Sequence, residues 1–347
     1  MKNVFKKIVD IKNKETILIC EISSNHSNNY SKLKKLILKA IKQKVDLVKF
    51  QVYTPDTLTL NFNSREFLIK NKNWKKHSNL YRLFKKSHTP WEWIKKLIKI
   101  LNNNNINWFA SAFDQSSVDF LESLNCKAYK IASAEITDVN LINYIAKKNK
   151  PIILSTGMSE EKDLRLAIKT IKKYHSKFAI LKCTSNYPAS YKDLNLSSIK
   201  EIKNKYKCVV GFSDHTMDNL AANISVAFGS TIVEKHFKLD KDKTSTDSHF
   251  SLPISSYNVI KKSLNNTSLC IGKENLGFKI SKEQKNSRRS IYISKDIKKN
   301  NQLTIKNIKL VRPGFGLHPK FFYKVLGKTV KQKLYFGFPL KLKYINK

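Results

Sequence analysis

Eight short apolar runs, each ending in polar residues able to do chemistry, alternate along the chain with segments of helical periodicity. They are Thr16–Glu21, Val45–Gln51, Trp108–Phe113, Ala128–Ile131, Pro151–Leu154, Phe178–Cys183, Cys208–Phe212 and Thr231–Glu234. Such runs read as strands buried on both faces, the signature of a parallel sheet. Between them, Leu33, Leu36, Ile37, Ala40 and Ile41 share one helical face, as do Ile94, Leu97, Ile98 and Leu101, and Leu220, Ala221, Ile224, Ala227 and Phe228. Parallel neighbours need helical crossovers of this kind. The repeat predicts an α/β fold, a (β/α)8 TIM barrel, with its active site on the face where the strands end. Ser31 and Ser159 are the expected caps of the helices they precede.

The 347-residue length leaves room for a barrel and a smaller module. We expect the barrel over residues 1–265, a polar, Lys-rich linker over 266–286, and a small, mostly β domain over 287–347. In that last part the β-like runs are Ser290–Ile293, Ile305–Val311 and Leu334–Leu342. Thr54 to Ser87 breaks the alternation and is expected to pass over the barrel mouth.

The formal net charge is +40. It says little about partners, because arginine stands at only six positions and the lysines are spread along the chain among Asn and Ile. A nucleic-acid binder clusters its charge and uses arginine forks, so no nucleic-acid partner is expected. No apolar run is long enough to span a bilayer, and residues 1–7 lack an apolar signal core. These features predict a cytoplasmic protein with no membrane partner. The five cysteines show no CxxC spacing and read as reduced thiols.

Two strand ends carry histidines, in Gly211-Phe212-Ser213-Asp214-His215 and Glu234-Lys235-His236-Phe237. Each alone is a buried, hydrogen-bonded imidazole or a metal ligand; together they can share one divalent ion. Lys49 and Lys130 end two other strands, and Ser111, Ser133, Ser155, Ser185 and Ser213 lie at or just after strand ends. Ammoniums and hydroxyls in that arrangement make a phosphate and carboxylate cradle; the serines equally suit helix caps. A lysine ending a buried strand needs a partner, which Glu21 or Glu135 would supply. Asp214, Glu234 and Asp247 lie on or near the same face. Asp214 reads either as a histidine partner or as a cap, and Glu234 either as a site residue or as the partner of Lys235.

These residues stand in runs that resemble the sialic acid synthases. The runs are Glu21-Ile22-Ser23-Ser24-Asn25-His26, Lys49-Phe50-Gln51, Lys130-Ile131-Ala132-Ser133-Ala134-Glu135, Ser155-Thr156-Gly157-Met158, Cys183-Thr184-Ser185-Asn186-Tyr187-Pro188, and the two histidine segments. The tail, from Arg288-Arg289-Ser290 to Arg312-Pro313-Gly314, is similar to the type III antifreeze-like (SAF) module that closes those enzymes. Within the family, Tyr53–Leu60, Ala132–Asp138 and Phe315–Phe321 are most similar to the pseudaminic acid synthases. Ala134 stands where N-acetylneuraminate synthases carry Gly, which disfavours N-acetylneuraminate as product.

The resemblance implies a transferase that condenses phosphoenolpyruvate with an open-chain amino-sugar aldehyde. It implies a divalent ion (Mn²⁺, Mg²⁺ or Co²⁺) on His215 and His236, with Glu21 and Glu135 as further catalytic groups. Glu21 is expected closest to the reacting centre. Lys49, Lys130, Ser133, Ser155, Ser185 and Ser213 are the expected contacts to phosphoenolpyruvate, Gln51, Glu135, Tyr187 and Asp247 those to the sugar, and Ser111 and Asn186 are further expected substrate contacts. Arg312 is expected to reach the sugar from the other subunit of a domain-swapped homodimer. A role in bacterial surface-glycan synthesis is implied as well. Legionaminate or N-acetylneuraminate synthesis, or a non-catalytic sugar-binding protein, are the competing functions.

Overall fold

A computed structural model describes residues 4–22, 24–70, 73–272 and 277–346, the side chain of residue 76 aside. Residues 1–3, Ser23, 71–72, 273–276 and 347 fall within stretches read above and lie outside the described residues. The chain divides into two compact units, Met1–Gly272 and Lys273–Lys347.

In the first unit the apolar runs form β1 (Ile17–Glu21), β2 (Leu47–Val52), β3 (Trp108–Ala112), β4 (Tyr129–Ile131), β5 (Ile152–Ser155), β6 (Phe178–Cys183), β7 (Val209–Asp214) and β8 (Ile232–Lys238). They pair in chain order, all parallel, and β8 pairs back to β1 from Ile17↔Ile232 to Glu21↔His236. The barrel is therefore closed. A short β9 (Leu252–Pro253) continues beside β8. Every residue of β1 and β7 is buried, as continuous apolar runs require.

The helix Tyr30–Lys42 buries Leu33, Leu36, Ile37 and Ala40. Removing a leucine-sized side chain from water contributes roughly 1.5–3 kcal/mol, so this stripe, rather than helix propensity, holds the element in place. Its cap is Asn29, whose side chain accepts from Lys32 N, and not Ser31. Asn29 has the extended backbone that a cap needs, while Ser31 already lies in the first turn. Ser159 likewise does not cap Glu161–Lys172. Glu160 does, in a reciprocal box with Asp163, and Ser159 Oγ donates to Thr156 O at 3.0 Å.

The helix Tyr257–Ile271 runs through the expected start of the linker. Tyr257 holds it to the barrel: its hydroxyl donates to Leu18 O at 2.7 Å and accepts from Asp46 N at 2.8 Å. The helix ends at Gly272, whose φ of +63° suits a residue without Cβ. The first unit therefore extends to Gly272 instead of residue 265.

The second unit has its own core, built on Ile291, Ile293, Ile308, Val330, Leu334 and Leu340. β10 (Ser290–Ile293) and β11 (Ile308–Val311) pair antiparallel. The run Leu334–Leu342 makes single bridges, Ile297↔Leu334 and Tyr292↔Pro339, instead of the expected strand. Gly337 at φ +83° and Pro339, which has no N–H, interrupt the ladder. No helix among the described residues is long and apolar enough to cross a membrane. The five cysteines are free thiols.

Candidate active site

Strand parity decides which side chains enter the barrel. On β8, Glu234 and His236 share one face and Lys235 takes the other. Lys235 Nζ lies 2.6 Å from Asp214 Oδ2, and both groups are buried. Glu234 is therefore not the partner of Lys235. It reaches instead to Lys49 Nζ at 2.9 Å and to Lys130 Nζ at 3.1 Å. Ser213 Oγ donates to the same carboxylate at 3.2 Å, and Lys49 also lies 3.0 Å from Glu21. The expected partner Glu21 thus serves Lys49, while Lys130 uses Glu234 rather than Glu135.

Burial alone would raise the Glu234 pKa, but Lys130 and Lys49 override it and hold the carboxylate well below its ordinary range. Burial would lower Lys49, and Glu21 and Glu234 raise it instead. Lys130 stays lowered by burial, only partly offset by Glu234. Two ammoniums and two carboxylates are thereby held together out of water, an arrangement that is tolerated only while it stays complete.

Next to this network the two histidines face each other, ring centroids 5.4 Å apart. His215 Nδ1 lies 2.9 Å from the Thr184 carbonyl, so it carries the proton and Nε2 the lone pair. Burial, then His236, pulls the His215 pKa down to about 3. Burial, then Lys49, does the same for His236, also to about 3. Both imidazoles are neutral near pH 7, as a metal ligand must be. Among the described residues His236 Nδ1 is buried without a hydrogen-bond partner; Asp247 Oδ2 stands 3.7 Å away, too far to serve. The pair fits a divalent ion. Among the described residues no group of three or more His, Cys, Asp and Glu side chains converges as a metal centre. An ion held here would take two protein ligands and draw the rest from substrate and water.

A cavity of about 600 Å³ opens above both clusters. Lys49, Gln51, Ser111, Lys130, Ser133, Ser155, Tyr187, Ser213, His215, His236 and Asp247 border it, as does Glu234. The Ser111 and Ser155 hydroxyls are buried with no hydrogen-bond partner among the described residues. Orphaned hydroxyls beside two ammoniums suit a ligand rich in acceptor oxygens. Ser133 Oγ accepts from Gly157 N at 3.1 Å. A Cβ on Gly157 would stand 2.2 Å from Ser185 Oγ, so glycine is what lets these loops close together. Burial, then Glu21, raises the Asp247 pKa to about 7.

Five expected residues do not border this cavity. Glu21 is fully buried behind Lys49 rather than on the cavity surface. Ser185 packs toward Gly157 and does not border the cavity. Asn186 is exposed and outside it. Arg312 is an exposed residue of the second unit. Glu135 sits in the turn Ser133–Glu135 with its Oε2 buried and unpartnered among the described residues.

Burial raises the Glu135 pKa to about 7. Between its ordinary value of 4.5 and about 7 the folded state keeps a proton that the unfolded chain has released, so stability falls as pH rises through that window. Glu135→Gln removes the dependence. In denaturant titrations the variant should match the parent at pH 4 and exceed it by about 1–3 kcal/mol at pH 8. Equal stability at both pH values would contradict the buried-proton assignment.

The sequence offers Glu234 only as one of several acidic residues on or near this face. Its spacing of two from His236 was the available signal. Residues 61–87, expected to pass over the mouth, carry no chemistry legible in the sequence, yet Leu68, Ile69, Leu83 and Phe84 among them border the cavity.

The NeuB family model matches residues 36–275, and the SAF domain model matches residues 288–343. Among curated proteins, the chain is 40% identical over 331 residues to "Pseudaminic acid synthase" of Campylobacter jejuni, covering 94% of this chain and 96% of that protein. "Pseudaminic acid synthase" of Helicobacter pylori is 36% identical, covering 93% and 96%. "N,N'-diacetyllegionaminic acid synthase" of Legionella pneumophila is 32% identical, covering 95% and 94%. Among solved structures, the N-acetylneuraminic acid synthetase of Leptospira borgpetersenii superposes with TM-score 0.69 at 25% identity, covering 78% of this chain and 89% of that one.

Proposed function

The chain belongs to the NeuB family, and on that premise we infer that it makes pseudaminic acid. Phosphoenolpyruvate, the open-chain aldehyde of 2,4-diacetamido-2,4,6-trideoxy-L-altropyranose and water give the nine-carbon acid and inorganic phosphate. The observation that carries this reading is 40% identity over 94% of the chain to a curated enzyme of that name. The site chemistry supports the same reaction.

Lys49 and Lys130, with the free Ser111 and Ser155 hydroxyls, bind the phosphate and carboxylate of phosphoenolpyruvate. His215 and His236 would hold a divalent ion, Mn²⁺, Mg²⁺ or Co²⁺, and such an ion would supply Lewis-acid polarisation of the sugar aldehyde. The enol carbon forms the new C–C bond to that aldehyde carbon. Cationic charge then develops at the carbon bearing the phosphate, where the Glu21 and Glu234 carboxylates stabilise it through the field of the cluster. Water adds to that carbon, and the tetrahedral intermediate expels inorganic phosphate. Asp247, with its pKa near 7, is placed to hold or pass a proton beside His236. Gln51, Tyr187 and Glu135 contact the sugar. Arg312 of a second copy completes the sugar site in a reciprocally swapped homodimer.

The test is phosphate release from phosphoenolpyruvate with a panel of sugars, with and without chelator. The diacetamido altrose sugar should be turned over, and chelator should stop the reaction. Turnover of N-acetylmannosamine but not of the altrose sugar would reject this product.

A further inference from the structure

The segment between β2 and the helix Trp91–Asn103 is tied across the cavity mouth. Trp74 Nε1 donates to Thr246 O at 3.2 Å, and Asn73 Nδ2 donates to Tyr187 O at 2.9 Å. Ser87 Oγ donates to Thr246 Oγ1 at 3.2 Å, and Ser24 Oγ donates to Ser87 O at 3.3 Å. This strap is bound to loops at the strand ends, so its side chains are fixed with respect to the site.

Its inner side is apolar. Leu68, Ile69, Leu83 and Phe84 border the same cavity as the histidines. Ile69 and Leu83 are buried, and Phe84 meets the ring of Tyr53 edge-on at 5.9 Å. Of the polar strap residues that also border it, Glu66 and Lys70 are exposed, and Ser87 is buried with its hydroxyl donated to Thr246 Oγ1.

The position of this wall is what matters. Moving away from the metal-ligand pair, His236 is followed by Asp247 at 3.7 Å. Ser24, Tyr53 and Phe84 border the same cavity as Asp247, and Tyr53 packs on Phe84. A sugar with its aldehyde at the histidines and its middle hydroxyls at Asp247 extends its far end onto Tyr53, Phe84, Leu83 and Ile69. A hydroxymethyl group there would lose its water partners and gain none, whereas a methyl group gains burial.

We propose that the strap wall of Ile69, Leu83 and Phe84 is the specificity determinant for the distal end of the sugar. It accepts the C6 methyl and the 4-acetamido methyl and rejects hydroxylated hexosamines. The inference rests on the product assigned above and adds the residues that select it. The wall reads methyl against hydroxyl and is indifferent to ring stereochemistry, so it favours 2,4-diacetamido-2,4,6-trideoxy sugars as a class.

Steady-state kinetics on the near-isosteric Leu83→Asn and on the smaller Ile69→Thr test it, with N-acetylmannosamine and the altro and manno forms of the trideoxy sugar. For each variant kcat/KM toward the trideoxy sugars should fall by about 10–100-fold, mostly through KM, while KM for phosphoenolpyruvate holds within about twofold. The ratio of trideoxy sugar to N-acetylmannosamine should fall with it. An unchanged ratio in the well-folded Ile69→Thr protein, or a parallel rise in KM for phosphoenolpyruvate, overturns the proposal. Turnover by the unmodified enzyme of the manno form but not the altro form rejects only the product assigned above; the wall is then judged by the same ratio on the manno sugar. Turnover of N-acetylmannosamine and of neither trideoxy sugar rejects both.

Discussion

His236→Gln should lower metal-supported phosphate release by at least about 10³-fold, the range expected when a group that stabilises developing charge is lost. The imidazole it replaces is neutral, buried and, among the described residues, without a hydrogen-bond partner at Nδ1. A glutamine fills much of the same volume but offers a neutral amide oxygen, a poor donor to a divalent ion. Retained Mn²⁺, measured by metal analysis after gel filtration, should fall in step with turnover. Phosphoenolpyruvate affinity should stay within a few-fold, because Lys49 and Lys130 are untouched. Turnover within about tenfold of the parent, with metal content unchanged, would rule out His236 as a ligand.

Glu234→Ala should be the most destabilising single change at the site. Glu234 is the carboxylate shared by Lys49 and Lys130, at 2.9 and 3.1 Å. Removing it leaves Lys130 with no ion-pair partner in the cluster and Lys49 with Glu21 alone. Stripping one partner from a buried ion cluster costs about 3–5 kcal/mol. Ligand rescue distinguishes this from ordinary cavity formation. Phosphoenolpyruvate is anionic and, on the proposed function, binds at the same ammoniums, so it should raise the Tm of Glu234→Ala by more than it raises that of the parent. A Tm close to the parent's, or no added rescue, would show that the two lysines do not depend on Glu234.

The barrel was legible because its evidence is redundant. Eight runs and the helices between them all had to agree, and an error in one would not have changed the architecture. Helix caps were not legible at the level of single residues. Asn29 and Ser31 are both capping types, and only the backbone angle chooses between them. The positions of Lys49, Lys130, His215 and His236 followed from their place at strand ends. How they pair did not, except through parity: Glu234 and His236, two apart, had to share a face. Asn186 shows the limit of neighbourhood in sequence, since the residue beside Tyr187 is turned to solvent while Tyr187 packs 4.3 Å from His215. That residues 54–87 pass over the mouth was legible from the break in the alternation, but how the strap is anchored there was not. Its anchors join residues 114 and 172 positions apart, and no local pattern encodes such a pairing.

The seam where β8 zips onto β1 sets Glu21 beside His236. Glu234 and His236 lie on the final stave, and the carboxylate behind Lys49 lies on the first. A ribosome that has threaded out everything before residue 232 has therefore made a polypeptide carrying both lysines and only one of their two counter-ions. Such a stalled product is not a sluggish enzyme but an electrostatically frustrated one. Stop codons upstream of the last stave should accordingly yield material for proteases rather than partial activity.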